Sequence, residues 1–303
     1  MAVEEAEQYR RELHVHCYRM LGSYTEAEDA VQETMLRAWR RADTYEGRST
    51  YRAWLYKIAT NVCLDLLAKR KDVVLSEAPL SDVPWLEPYP DQQLPEELAV
   101  ARETIELAFL AVIQHLPARQ RAVLVMRDVL GWPAEETAET LEMTVPSVKS
   151  ALQRGRATLR KHLPERRSDW AAATEPSAEE RVVLKRFVEA SMKADMGTLA
   201  TLLREDAMQA MPPSMQFFPG RRAILDMWAP VMAGQEAWGE WRARTTTANR
   251  MPAVANYVRR PGEEFFTAVN LDVLRIEDGL IAEITTFGPE TLPTFGLPER
   301  IFD

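Results

Sequence analysis

The chain has 303 residues, enough for about two or three domains of the usual ~100–150 residues, and its 37 Lys and Arg against 46 Asp and Glu leave a formal net charge of −9. With 46% hydrophobic and 27% charged residues it reads as an ordinary globular protein, and no apolar run approaches the roughly 20 residues that span a membrane. The acidic start at Met1 to Glu5 lacks the features of a secretory signal, and two cysteines, Cys17 and Cys63, exclude a disulfide framework and a CxxC zinc site, so a reducing cytoplasm is the expected compartment.

The net charge hides a strong polarisation along the chain. Residues 34–71 carry nine Lys/Arg against three Asp/Glu, residues 72–97 carry seven acidic residues and no basic one, and residues 147–167 carry seven basic residues against one acidic. Local rather than net charge decides binding to phosphate, so the two basic stretches are candidate nucleic-acid surfaces.

The first block, 1–71, reads as helices. Gly22 and Ser23 end one, Thr25 with Glu28 resembles a capping box opening the next, and Ala27, Val31, Thr34 and Ala38 follow helical spacing. Residues 45–49 form a turn. A third helix is predicted from about Thr50 to Arg70, with Trp54, Leu55, Ile58, Ala59, Val62 and Leu66 as its apolar stripe. Residues 72–95 are an acidic linker stiffened by Pro79, Pro84, Pro88, Pro90 and Pro95. The linker still carries Trp85, Leu86 and Tyr89, apolar groups large enough to predict docking. The block 96–165 is helical again, with a helix opening at Leu116 and Pro117 and a short one over Ala134–Leu141. A tight turn at Met143 to Val145 then leads to a final helix that begins with Pro146 and ends near His162.

A short helix, a tight turn and a longer basic helix make a helix-turn-helix. In the last helix Val148, Leu152, Gly155 and Leu159 share the inward face. Ser147, Lys149, Ser150, Gln153, Arg154, Arg156 and Arg160 share the other. Short and amide side chains suit base edges, and arginines suit phosphates and guanines. A solvated basic face on a helical bundle is the competing reading.

The runs LPARQRAVL from Leu116, GWPAEETA from Gly131 and SVKSALQRGR from Ser147 resemble region 4 of the extracytoplasmic-function (ECF) sigma factors of the sigma-70 family, the region that binds the −35 promoter element. EAEDAVQETMLRAW from Glu26 resembles their region 2.2, and YRAWLYKIATNVCLD from Tyr51 their regions 2.3 and 2.4. The resemblance covers about residues 5–165. It implies a factor that binds core RNA polymerase, through the β′ coiled coil and the β flap, and directs promoter recognition and DNA opening. Asp29, Gln32, Glu33, Leu36 and Trp39 would meet the polymerase, although Trp39 closing the local core is an equal alternative. Arg48, Ser49, Arg52, Tyr56, Lys57, Asn61 and Arg70 would serve the −10 element, where a base is captured out of the stack, with Tyr45 nearby; Trp54 and Ile58 read as core. A helix-turn-helix regulator that binds duplex DNA unaided, and an enzyme with a DNA-binding appendage, are the competing functions.

A second linker, about 164–177, precedes a block of different character, 178–303. Helices are predicted near 178–194, 196–204 and 220–233, then strands at Trp241–Thr247, Ala253–Val258, Phe265–Ile276 and Leu280–Phe287, with Glu277, Asp278 and Gly279 as a hairpin turn. Helices followed by an antiparallel sheet indicate an α+β domain. ERVVLKRFVEA from Glu180, LATLLREDA from Leu199 and DVLRIEDGLIAEITTF from Asp272 resemble SnoaL-like domains, cones whose sheet curves round a pocket. The whole chain is therefore expected to be multidomain, two all-α sigma domains followed by a SnoaL-like cone. A subgroup of the sigma factors with this extension carries a WLPEP motif in the linker; here Trp85, Leu86, Glu87 and Pro88 stand one proline short.

All four histidines precede the cone, which has no cysteine. Asp206, read at a helix end, Asp272, read as facing outward from a strand, Asp226 and Tyr257 remain as acid–base candidates, and no catalysis, metal or cofactor is expected. Met208, Met211, Phe217, Trp228, Trp238 and Phe266 either line a pocket for a small apolar ligand or form the packed core. The cone is expected to modulate initiation in cis by holding the linker at Trp85, Leu86, Pro88 and Tyr89.

Overall fold

A computed structural model describes residues 6–42, 45, 50–70, 80, 82–95, 104–163, 176–234 and 236–302. Arg48 and Ser49 lie outside the described residues. The described chain divides into two units: residues up to 86 with 93–163, and residues 87–92 with 176–302. No helix among the described residues is long and apolar enough to cross a membrane.

The first unit is helical. Helices α1 (Arg10–Leu21), α2 (Tyr24–Arg40) and α3 (Tyr51–Leu67) pack on one another, and α1 and α3 also meet the group formed by α4 (Leu107–Gln114), α5 (Ala118–Leu124), α6 (Ala134–Leu141) and α7 (Val145–His162). Gly22, in the left-handed region at φ 76°, ends α1 and leaves Ser23 extended. Ser23 rather than Thr25 therefore caps α2, its hydroxyl accepting from the Glu26 backbone N–H. Thr144 caps α7 in the same way, accepting from the Ser147 N–H, with Pro146 in the first turn. Between α5 and α6 the chain widens into a π-helical turn at Val125–Val129.

A buried arginine joins the two helical halves. Arg121 on α5 is 4% exposed. Its guanidinium donates to the Met20 carbonyl at the end of α1, and to the Gln114 side chain and the Gln114 and Leu116 carbonyls at the end of α4. Two helix C-termini leave carbonyls without intrahelical partners and carry partial negative charge, so one cation serves both. Desolvation, with help from the charge of Arg70, pulls the Arg121 pKa down to about 9.

The second unit is a mixed sheet with helices on one face. Helix α8 (Ala178–Met192) begins with a capping box between Ser177 and Glu180. Helix α9 (Met196–Leu202) runs straight into β1 (Leu203–Met211), which pairs with β2 (Gln216–Pro219). Sequence reading placed no strand there, because apolar residues continue from helix into strand without a turn residue and prolines follow. After α10 (Arg221–Met232) come β3 (Glu240–Ala248), β4 (Met251–Arg259), β5 (Phe266–Glu277), β6 (Leu280–Phe287) and β7 (Arg300–Ile301). The strand order is β2-β1-β6-β5-β4-β3, parallel only between β1 and β6, with β7 beside β5. Asp278 and Gly279 both take positive φ, as a tight hairpin requires; Asn249 and Arg250 do the same between β3 and β4. Phe187, Leu199, Ile224 and Trp228 from the helices meet Val254, Leu274 and Ile284 from the sheet to form the core.

Candidate functional site

The buried stripe of α2 is Ala27, Ala30, Val31, Thr34 and Ala38. Asp29, Gln32, Leu36 and Trp39 fall off that stripe and are exposed, with Glu33 half-buried. Leu36 is 38% and Trp39 62% exposed, so Trp39 does not close the local core. Glu33 accepts from Arg37, which also reaches Asp65 on α3. An exposed apolar pair with acids and an amide around it has the apolar centre and polar rim of an interface.

The residues expected at the −10 element divide. Arg52 is forked onto Glu12 at 2.8–3.0 Å. Tyr56 is buried, its ring 5.5 Å from that of Trp132, and burial raises its hydroxyl pKa. Arg70 turns inward, donating to the Leu21 carbonyl at 2.8 Å, pairing with Glu26 and lying 4.6 Å over the Trp85 ring. Tyr56 and Arg70 thus pack within the unit on partners far along the chain, of which local spacing gives no hint. Lys57 and Asn61 remain half-exposed. Trp54, read as core, is half-buried instead and sits 5.4 Å from both Tyr45 and Tyr51, forming an aromatic cluster at the start of α3.

In the helix-turn-helix, Ser147, Lys149, Ser150, Gln153, Arg154, Arg156 and Arg160 are all exposed, while Val148, Leu152 and Gly155 are buried. Arg154 donates to Ser150 at 2.7 Å, and Arg156 is forked onto Asp128 at 2.6 and 2.8 Å.

The linker contributes to both units. Trp85 and Leu86 belong to the first, where Trp85 stacks on Arg70. Residues 87–92, with Pro88 and Tyr89, belong to the second. The Tyr89 N–H donates to the Asn249 side chain, the Asn249 N–H donates to the Tyr89 carbonyl, and the Arg250 N–H donates to Asp91. Pro90 forms a bridge with Ala248.

The second unit encloses a cavity of about 470 Å³. Of the residues expected to line it, Met211, Trp228 and Trp238 do; Met208, Phe217 and Phe266 do not. Asp206 lies on exposed strand, not at a helix end, and pairs with Arg204; Asp226 is exposed; Tyr257 donates to the Pro298 carbonyl away from the cavity. Asp272 faces inward, contrary to expectation, and is 5% exposed. Both faces of β5 are buried at this point, since Leu271 and Val273 are buried as well as Asp272 and Leu274, so alternation could not tell inside from outside. Asp272 accepts from Thr286 at 2.6 Å and from Asn256 at 2.7 Å; Asn256 also donates to Asn270, and Gln209 donates to Thr286. These five residues form a polar row across β4, β5, β6 and β1. Sequence reading missed four of them, although polar residues inside β-forming stretches were a usable signal.

Comparison with known proteins agrees with this architecture. Sigma-70 region 2 matches residues 6–73, Sigma-70 region 4 matches 106–159 and a SnoaL-like domain matches 184–284. The ECF RNA polymerase sigma factor SigG of Mycobacterium tuberculosis is 36% identical over 313 aligned residues, covering 97% of this chain and 83% of SigG. SigW of Bacillus subtilis is 33% identical over 159 residues, covering 51% of this chain and 84% of SigW. The crystal structure of the Mycobacterium tuberculosis ECF sigma factor SigJ shares the fold with a TM-score of 0.64 at 20% identity, covering 98% of this chain and all of that one. Three matched regions in order, with a relative similar along nearly the whole length, place this chain in the family of ECF RNA polymerase sigma factors, with a SnoaL-like domain at its C-terminal end.

Proposed function

We propose that this sigma factor engages core RNA polymerase through the exposed face of α2, reads the −35 element with the basic face of α7, and is modulated in cis by its SnoaL-like unit. The observation that carries the first part is the exposure of Leu36 and Trp39 beside Asp29 and Gln32, an apolar patch with no partner of its own on the helix. Core polymerase, through its β′ coiled coil, is the partner proposed for this face, and its β flap for the region 4 half. For the −10 element the Tyr45, Tyr51 and Trp54 cluster, flanked by Lys57 and Asn61, offers half-exposed rings on which an unstacked base can lie.

The modulating role is supported by residues 87–92. They join two DNA-binding halves in sequence yet are hydrogen-bonded to the hairpin tip of the SnoaL-like sheet. The fold of this unit occurs in enzymes as well, but no histidine or cysteine is present in it and the proposed role is regulatory. The compartment is that of the polymerase, the cytoplasm.

Promoter-specific transcription by purified core polymerase with the full chain tests the reading. Transcripts are expected with wild type and should be lost with Leu36→Ala/Trp39→Ala. Removal of residues 170–303 is expected to change output at matched protein levels. Specific binding to duplex promoter DNA without polymerase, unaffected by the α2 substitutions, would instead favour a plain helix-turn-helix regulator.

A further inference from the structure

The cavity of the SnoaL-like unit has walls of one character and a floor of another. Phe187, Met211, Met227, Trp228 and Val231 make the walls apolar. The floor is the polar row on the sheet. Hydrogen-bond direction along that row follows from the chemistry of its centre. An ionised carboxylate only accepts, so Thr286 must give its hydroxyl proton to Asp272 Oδ1. The Thr286 oxygen is then free to accept, which it does from Gln209 Nε2 at 2.8 Å. This fixes the Gln209 amide with its oxygen at the other end, and that oxygen is buried with no partner. On the other side Asn256 spends both of its amide protons, one on Asp272 Oδ2 and one on Asn270. Thr286 and Asn256 therefore spend all of their side-chain protons along the row, Gln209 spends one of its two and Asn270 only accepts, and the acceptor left buried without a partner is Gln209 Oε1.

Two further observations bear on what could satisfy them. Among the described residues no Lys, Arg or His lines the cavity, so the Asp272 carboxylate has no cation beside it. A carboxylate kept in apolar surroundings without one is costly, and burial pushes its pKa up to about 6. Gln209 is 1% exposed, so its free oxygen cannot be satisfied by bulk water. A carboxylate without a cation and a buried amide oxygen without a partner thus stand together on the floor, while the Trp241 indole N–H is a partnerless donor elsewhere in the lining.

We propose that this cavity binds a small, mostly apolar ligand by a hydrogen-bond-donating head, a hydroxyl or a protonated amine received by Asp272 and Gln209, and that it rejects apolar molecules whose head is a carboxylate. An acid would have to lose its hydration beside an ionised carboxylate of like charge, with no cation lining the cavity to offset it. An ammonium gains the counter-charge that the floor lacks. An alcohol satisfies an acceptor without a charge penalty. The apolar body replaces water against the aromatic and methionine walls.

Three probes with one naphthalene body separate these terms: 2-(2-naphthyl)ethylamine, 2-(2-naphthyl)ethanol and 2-naphthylacetate. They are titrated calorimetrically into the full-length protein at pH 7.5, a measurement that needs neither polymerase nor promoter. The amine and the alcohol are expected to bind, and the acid at least tenfold more weakly than either. Asp272→Asn should weaken the amine about tenfold and bring the acid to within about threefold of the alcohol. Gln209→Met, which leaves the carboxylate in place, should weaken amine and alcohol about threefold each. Equal affinities for the three probes, preference for the acid, no binding of any probe, or a wild-type order that survives Asp272→Asn would overturn the proposal.

Discussion

The two units bury polar groups to opposite ends. In the helical unit, buried charge closes structure: Arg121 ties α5 to the last turns of α1 and α4, and Arg52 is forked onto Glu12. Arg121 gives four hydrogen bonds there and keeps its Nε without a partner. In the SnoaL-like unit the buried carboxylate of Asp272 is held by two neutral donors and no cation, and the row around it ends in a free acceptor. The contrast teaches that burial of a polar group is not itself a sign of either stability or function. What separates the cases is what meets the buried charge: the carbonyls of two helix ends at Arg121, and a cavity at Asp272.

That contrast can be broken at several points, beginning with the largest effect. Arg121→Ala removes the donors to three buried carbonyls and leaves a void, so the helical unit should lose about 3–4 kcal/mol. Urea unfolding followed by far-ultraviolet circular dichroism measures this, and a loss under 1 kcal/mol would show that the latch is dispensable. Arg121→Lys should recover little, since one ammonium cannot span two helix ends.

Asp272 should act in the opposite sense. Its folded pKa of about 6 lies above the ordinary carboxylate value of 3.8, so the folded state holds the proton longer than the unfolded chain. Stability of this unit is then full below about pH 4 and falls as the pH rises towards 6, by up to about 3 kcal/mol. Asp272→Asn should therefore stabilise the sheet at pH 7.5 and lose that advantage at pH 4, read by amide exchange in β5 and β6. A variant less stable than wild type at pH 7.5 would mean that the carboxylate closes its network after all.

His16 gives the helical unit the reverse pH dependence. It is fully buried against Thr60 and Tyr56, and desolvation drops its pKa to about 3. The unfolded chain takes up the proton first, so stability falls as the pH drops below 6.5, by about 2 kcal/mol at pH 5. Acidification should thus separate the two unfolding transitions, weakening the helices and strengthening the sheet. Parallel shifts of both would count against the assignment. The smallest effect on stability belongs to Leu36→Ala/Trp39→Ala, within about 0.5 kcal/mol because both side chains are exposed, although transcription with core polymerase should be lost.

The helix-turn-helix was legible because its chemistry is local. Caps, proline and a 3.6-residue period fall within 30 residues, and the polar face read from spacing is the exposed face. Tyr56 and Arg70 have internal partners that local spacing does not reveal, for the converse reason. A tyrosine or an arginine on a helix next to basic residues looks like a DNA contact until a distant Trp132, or the end of another helix, uses it. Asp272 was misread because period-two alternation needs one wet face, and β5 is dry on both where it matters. The polar residues of its row sit on four strands, so no single window of sequence contains them.

The hydrogen bonds of residues 87–92 carry a consequence for synthesis. Tyr89 and Asp91 find their partners at Asn249 and Arg250, 160 and 159 residues later. At ~5–20 residues per second the ribosome needs about 10 to 30 s to cover that interval. The helix-turn-helix emerges well inside it. During every round of translation the DNA-reading halves are complete while the strap between them is still unclaimed, so the newborn chain and the finished one differ in what the linker is free to do.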